Sequence, residues 1–230
     1  MSSNLTCETK AWDSGRHSQA YYLIASLCTS LCDECVQNVG EEKMEDLLIL
    51  VDDNDNEIGY GEKMETHIMG RLHRAFSLFV FDKKSRSLLI HQRAAGKYHS
   101  GGLWTNSCCS HPRKGEVLQD AVVRRAYEEL GFEIPCCDGM VPGLAEVGKF
   151  TYFADFGNIS EHEIDHVFIL ETDGQARLHP DSEEVMDFMW IEPSRLTEWM
   201  QREPDRFTAW FAPALSMVKE SVIGKEYFTE

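Results

Sequence analysis

The chain has 230 residues, enough for one domain of ordinary size plus an extension, and its 43% apolar and 27% charged residues are a globular composition. The net charge of -17 argues against nucleic acid as a partner, since phosphate backbones need a basic surface; a small anion held by a few local Lys and Arg stays open. No apolar run reaches the roughly 18 residues that span a bilayer, residues 21–27 after Glu8 and Asp13 are a poor secretory signal, and the adjacent pairs Cys108-Cys109 and Cys136-Cys137 suit free thiols in a reducing cytoplasm.

Residues 1 to about 45 are polar and irregular, with Cys28, Cys32 and Cys35 clustered and a linker at 39–43. That cysteine spacing matches the cluster motif of radical enzymes, but such chemistry needs a large barrel; free thiols or a small metal clip are the readings left, and the role of this extension stays open. The domain proper runs from 46 to 230. The apolar run 47–51 predicts a buried strand, 52–56 a turn, and 57–60 a second strand. The acidic turn is no calcium loop: Ile58 stands where glycine is needed, Met64 where glutamate is needed. Strands follow at 75–81 and 87–92, and a small, polar loop at 97–102. The clearest helix covers 117–130, with Leu118, Ala121, Val122, Ala126 and Leu130 on one face and Gly131 as its stop. Strands at 150–153, 164–171 and 185–191 and helices near 194–202 and 210–222 complete an α+β domain.

The chemistry-bearing stretch is Trp104-Thr105-Asn106-Ser107-Cys108-Cys109-Ser110-His111-Pro112. In an extended backbone Cys109 and His111 point to one face, a proton-moving thiol beside a metal-binding imidazole. Glu161 and Glu163 share a face by the same spacing. On the helix, Arg125 and Glu129 lie one turn apart; they form either a solvated ion pair or a phosphate-binding guanidinium beside a metal-binding carboxylate. His162-Glu163-Ile164-Asp165-His166 is a literal H-E-x-x-H, which on a helix would make a zinc protease site. Its run into Val167-Phe168-Ile169-Leu170, between turns at Gly157-Asn158 and Asp173-Gly174, favours strand instead.

Aligned to the Nudix box, G-x5-E-x7-R-E-U-x-E-E-x-G-U, Glu116, Arg124, Glu128, Glu129, Gly131 and Phe132 match. Ser110 replaces the glycine and Arg125 the first helix glutamate, which speaks against the rival reading of a Nudix hydrolase acting on nucleoside diphosphates. Joined to Leu72-His73-Arg74-Ala75-Phe76, the Trp104-to-Pro112 stretch and Glu161-x-Glu163, this altered box resembles the type 1 isopentenyl-diphosphate isomerases, from about Leu47 to Trp210. The resemblance implies a Nudix-like mixed sheet sandwiched by helices, interconverting isopentenyl and dimethylallyl diphosphate in the cytoplasm. It implies proton transfer by Cys109 and Glu163 from opposite faces, with Tyr152 as a hydroxyl helper and Trp210 as the aromatic that steadies a carbocation. His67, His73, His111, Glu161 and Glu163 would hold Mn or Zn, to which mixed N/O ligands are suited. Glu129 would help bind Mg bridged to the diphosphate, and Lys63, Arg93, Lys97 and Arg125 would bind the diphosphate itself. His17, His91, His99, His162, His166 and His179 are read as structural or exposed. One departure is Gly101-Gly102 where the family usually carries Pro-Gly. The partner implied is a small isoprenoid diphosphate; the oligomeric state and the native metal stay open.

Overall fold

The computed structural model describes residues 47–136 and 140–229. In chain order they form β1 (Leu47–Val51), β2 (Glu57–Glu62), α1 (Lys63–Ile68), β3 (His73–Asp82), β4 (Ser87–Arg93), β5 (Trp104–Thr105), β6 (Cys108–Ser110), α2 (Leu118–Leu130), β7 (Leu144–Asp155), β8 (Ser160–Thr172), β9 (Val185–Ile191), α3 (Pro193–Arg202), a 3-10 turn at Pro204–Arg206, α4 (Phe211–Glu220) and α5 (Val222–Phe228).

One mixed sheet is organised around β3. Along one edge β3 runs parallel to β8 for its whole length, from His73 opposite Glu163 to Asp82 opposite Thr172. Its other edge is shared in succession by β1 at His73, β6 at Phe76 to Leu78, and β4 at Val80 to Asp82, all antiparallel. β7 covers the far edge of β8, while β9 and β5 extend β4.

Because side chains alternate across a strand, β3 and β8 feed two cores. Phe76, Leu78, Val80, Phe168 and Leu170 pack with Ala121, Val122, Ala126 and Leu130 of α2. Phe79, Phe81, Val167 and Ile169 pack with Leu196 of α3 and Phe211, Ala214, Leu215 and Val218 of α4. The sheet is therefore covered on both faces, and the residues behind these runs are almost all apolar because neither face meets water. Gly131 ends α2 in the left-handed conformation, φ 58°, where an added Cβ would lie 2.5 Å from the His179 carbonyl oxygen.

The structure departs from the sequence expectations at a few elements. The helix expected over 210–222 is two helices: Ser221 breaks it, and its Oγ accepts from the Gly224 N–H to start α5. α1, β5 and β6 are too short to carry a periodic signal. β7 is longer than 150–153, since its half-buried alternation contains glycine and charged residues. The H-E-x-x-H segment lies in β8, so His162 and His166 point away from Glu163; His162 bonds the Gly70 carbonyl and His166 bonds Asp55 and Glu146. That removes the zinc protease reading. The expectations for residues 1–45, including Cys28, Cys32 and Cys35, lie outside the described residues. Among the described residues, no helix is long and apolar enough to cross a membrane.

Candidate active site

The face of β3 and β8 that packs against α4 changes character along its length. Beyond Ser77 and Asp165 it is apolar core; before them it carries His73, Glu161, Glu163 and Asp165, all buried. β6 adds to this polar half. Cys109 pairs with Ser77 and shares its face, whereas Cys108 pairs with Leu78 and turns into the α2 core, where its S–H lies 3.4 Å from Glu129 Oε2. Of two adjacent thiols, the pleat sends one to each side. Cys109 is half-buried at the wall of an open cavity. Glu163, Tyr152, Trp210, Lys63, Arg93, Lys97, Arg125, Glu129, Glu161 and His111 also line that cavity.

His67, His73, His111, Glu161 and Glu163 each offer one ligand atom, all within 4.8 Å of one another. The tautomers follow from the partners. Nδ1 of His67 donates to the Lys63 carbonyl at 2.5 Å, and Nδ1 of His73 to the Arg71 carbonyl at 2.8 Å, which leaves both Nε2 atoms as acceptors facing inward. His67 Nε2 then stands 3.2 Å from Glu161 Oε2, acceptor against acceptor; both atoms are buried and, among the described residues, neither has a hydrogen-bond partner. Such a pair calls for a cation between them, and three imidazoles with two carboxylates suit a borderline divalent metal. Burial holds the His111 pKa down to about 4 against the pull of Glu163, so this imidazole is neutral, the form that ligates. Burial opposes ionisation of Glu163, but the contact of His111 Nε2 with its Oε1 at 2.7 Å holds the carboxyl well below the usual range.

Burial pushes the Cys109 thiol up to about 12 despite the nearby Arg93 guanidinium. The Tyr152 hydroxyl donates to Glu163 Oε2 at 2.5 Å, and burial together with the Glu163 charge raises that phenol well above its ordinary value. Trp210 is buried with the Arg93 guanidinium 5.4 Å from its ring centre, and among the described residues its Nε1 has no hydrogen-bond partner. Asp165 accepts from Ser77 Oγ at 2.8 Å; burial, then the Glu163 charge, lift its pKa well above the usual range.

Several cations also gather beside the cavity. Arg125 bonds Glu128 at 2.7 Å and Glu129 at 2.5 Å, and reaches Glu184 at 3.4 Å; Lys97 bonds the other Glu184 oxygen at 2.5 Å. Lys63 opens α1, where burial and the charges of Arg125 and Lys97 lower its pKa. Cations that repel one another beside a cavity make a site for an anion. Arg124 instead braces the loop before α2 through Glu116 at 2.7 Å and Glu128 at 3.0 Å.

Sequence reasoning missed three residues here. Asp165 continues the two-residue spacing of Glu161 and Glu163 and could have been read with them. Glu184 had no local signal, because it arrives from the segment before β9. His99, expected to be structural or exposed, is 7% exposed, and its Nε2 lies 2.6 Å from Glu161 Oε1. At Gly101, the position of the departure, an added Cβ would lie 2.6 Å from the Ala95 carbonyl oxygen.

The family model of the NUDIX domain matches residues 71–211. Isopentenyl-diphosphate Delta-isomerase 2 of Aromatoleum aromaticum is 49% identical over 155 residues, covering 67% of this chain and 76% of that protein. Isopentenyl-diphosphate Delta-isomerase of Burkholderia multivorans is 50% identical over 158 residues, 68% of this chain and 84% of that protein. Among solved structures, a Deinococcus radiodurans protein shares the fold with a TM-score of 0.56 at 18% identity, over 79% of this chain and 99% of its own.

Proposed function

We infer the activity from one premise: the chain belongs to the NUDIX family and, within it, to the isopentenyl-diphosphate Delta-isomerases. It interconverts isopentenyl and dimethylallyl diphosphate, moving a double bond by adding a proton at one carbon and removing one from another. The observation that carries this reading onto particular residues is one cavity lined by Cys109 and Glu163 together with Lys63, Arg93, Lys97 and Arg125.

On our reading Cys109 and Glu163 are the two proton-transfer groups, on opposite faces of the hydrocarbon. The one that donates in the forward direction accepts in the reverse. Tyr152, bonded to Glu163, passes protons to and from that carboxyl. The tertiary cation that forms between the two faces is steadied by the Trp210 ring, worth about 0.5–2 kcal/mol per contact. Burial of the walls keeps water from capturing it. Lys63, Arg93, Lys97 and Arg125 hold the diphosphate by charge-assisted hydrogen bonds, which fixes the hydrocarbon end between sulfur and carboxyl.

His67, His73, His111, Glu161 and Glu163 would hold Mn or Zn, and Glu129 would hold Mg with the diphosphate. Bound cations there supply positive charge that neutralises the buried carboxylates and the substrate's phosphates. We place the reaction in the cytoplasm, within residues 46–230 as one catalytic domain, on the support of the free thiols Cys108, Cys109 and Cys136 and the continuous sheet.

The test is to incubate the chain with isopentenyl diphosphate and Mg in deuterated water; deuterium appears in dimethylallyl product. Cys109→Ala and Glu163→Gln each lose turnover by at least the 10²–10⁴-fold typical of a proton-transfer group, while folding is retained. Near-normal turnover in either variant removes the assigned roles. Released phosphate with no isomerised product would favour the hydrolase.

A further inference from the structure

The loop between β4 and β5 touches three walls of the cavity through consecutive residues. Lys97 bonds Glu184 at 2.5 Å. The Tyr98 ring lies 5.6 Å from Lys63 Nζ and meets the His67 ring edge-on at 5.8 Å. His99 reaches deepest. Its ring stacks on Phe156 at 4.7 Å and meets Trp210 edge-on at 5.8 Å, while Nε2 lies 2.6 Å from Glu161 Oε1. Nδ1 lies 3.1 Å from Ser100 Oγ, which can donate to it, so that Nε2 carries the hydrogen that Glu161 accepts.

The two oxygens of Glu161 are therefore in different situations. Oε1 is taken by His99; Oε2 is buried, without a hydrogen-bond partner among the described residues, and faces the His67 Nε2 acceptor. We propose that His99 is a positioning residue for Glu161: it holds one carboxylate oxygen so that the other is presented, with the imidazoles of His67 and His73, to a divalent cation. The same contact ties the loop that carries Lys97 to the cation centre, so the diphosphate end and the metal end of the cavity are set by one side chain. This rests on the reading that the five-residue cluster binds a divalent metal.

The test is Mn2+ titration by calorimetry into the metal-free full chain, without substrate. His99→Phe keeps a ring against Phe156 and loses the donor; His99→Gln keeps a donor at the position of Nε2. Losing a hydrogen-bonded support behind a ligand weakens metal binding by about 10–100-fold, so His99→Phe should bind Mn2+ at least about tenfold more weakly, and His99→Gln should recover most of that loss. Thermal unfolding of the metal-free variants checks the fold; if His99→Phe does not fold, His99→Asn, whose amide is too short to reach Glu161, takes its place. Unchanged affinity in the donor-less variant overturns the proposal, as does a Gln variant as weak as Phe, which would make the role one of packing. A parent chain that binds no Mn2+ removes the metal reading itself, and this inference with it.

Discussion

The thiol of Cys109 sits in a setting that suppresses its ionisation, and the size of that effect can be read by alkylation. Burial places its pKa at about 12, against about 8.5 for an ordinary thiol. At pH 7–8 both are mostly protonated, and the thiolate fraction of Cys109 is lower by about three-thousandfold. A more basic thiolate is also a better nucleophile: with a Brønsted slope of about 0.45 it regains about 40-fold. The net expectation is iodoacetamide labelling about 80-fold slower than for an unstructured cysteine peptide in the same tube. The shape of the profile is more diagnostic than the ratio. Between pH 9 and 10.5 the peptide's rate levels off, while that of Cys109 still climbs about tenfold per pH unit. Mass spectrometry of the Cys109 peptide, from metal-free chain quenched over a pH series, measures both. A rate for Cys109 that levels off at or below pH 9 would refute the claim that the cavity keeps this group protonated.

Other consequences can be checked separately. Asp165 has its pKa raised by burial and by the Glu163 charge, so folding takes up a proton at pH values between the unfolded value of 3.8 and the higher folded one. The stability this carboxyl allows is whole below that value and declines as pH rises toward the folded pKa. Asp165→Asn should therefore gain on the parent chain as pH increases from 4 to 8 in urea unfolding without metal; a gap that does not vary with pH contradicts this. Arg125→Ala removes one charged partner of the diphosphate, at a cost of about 2 kcal/mol or about thirtyfold in kcat/KM, measured by steady-state turnover of isopentenyl diphosphate. An unchanged kcat/KM would return Arg125 to a surface ion pair. Gly131→Ala imposes a side chain at φ 58° and at 2.5 Å from a carbonyl oxygen, so the chain should lose at least about 1–2 kcal/mol and several degrees of Tm by calorimetry. A Tm within one degree of the parent's would mean that the helix end relaxes.

Local pattern alone carried a good deal of this molecule. The strands at 47–51 and 185–191 are readable as short apolar runs, and α2 because its apolar positions recur at helical spacing before a glycine stop. The spacing of Cys109 with His111 and of Glu161 with Glu163 placed each pair on one face, since a strand alternates with a period of two. The likeness of the altered Nudix box to a known family named the remaining site residues, because motif order along the chain survives where periodicity is silent.

What the tertiary structure decided is what depends on register between distant strands. His73 stands beside Glu163 only because β3 and β8 pair in parallel, and Cys109 faces them only because β6 pairs with Ser77. No property of residues 104–112 specifies that partner. The same is true of His99 and Glu184, which look like ordinary loop residues in the chain and become neighbours of Glu161 and Arg125 when two separate loops close over one end of the sheet. Identity and spacing determine which side of an element a group occupies; only packing of the whole sheet determines which other groups share that side, and with them the charge, burial and proton affinity on which the chemistry depends.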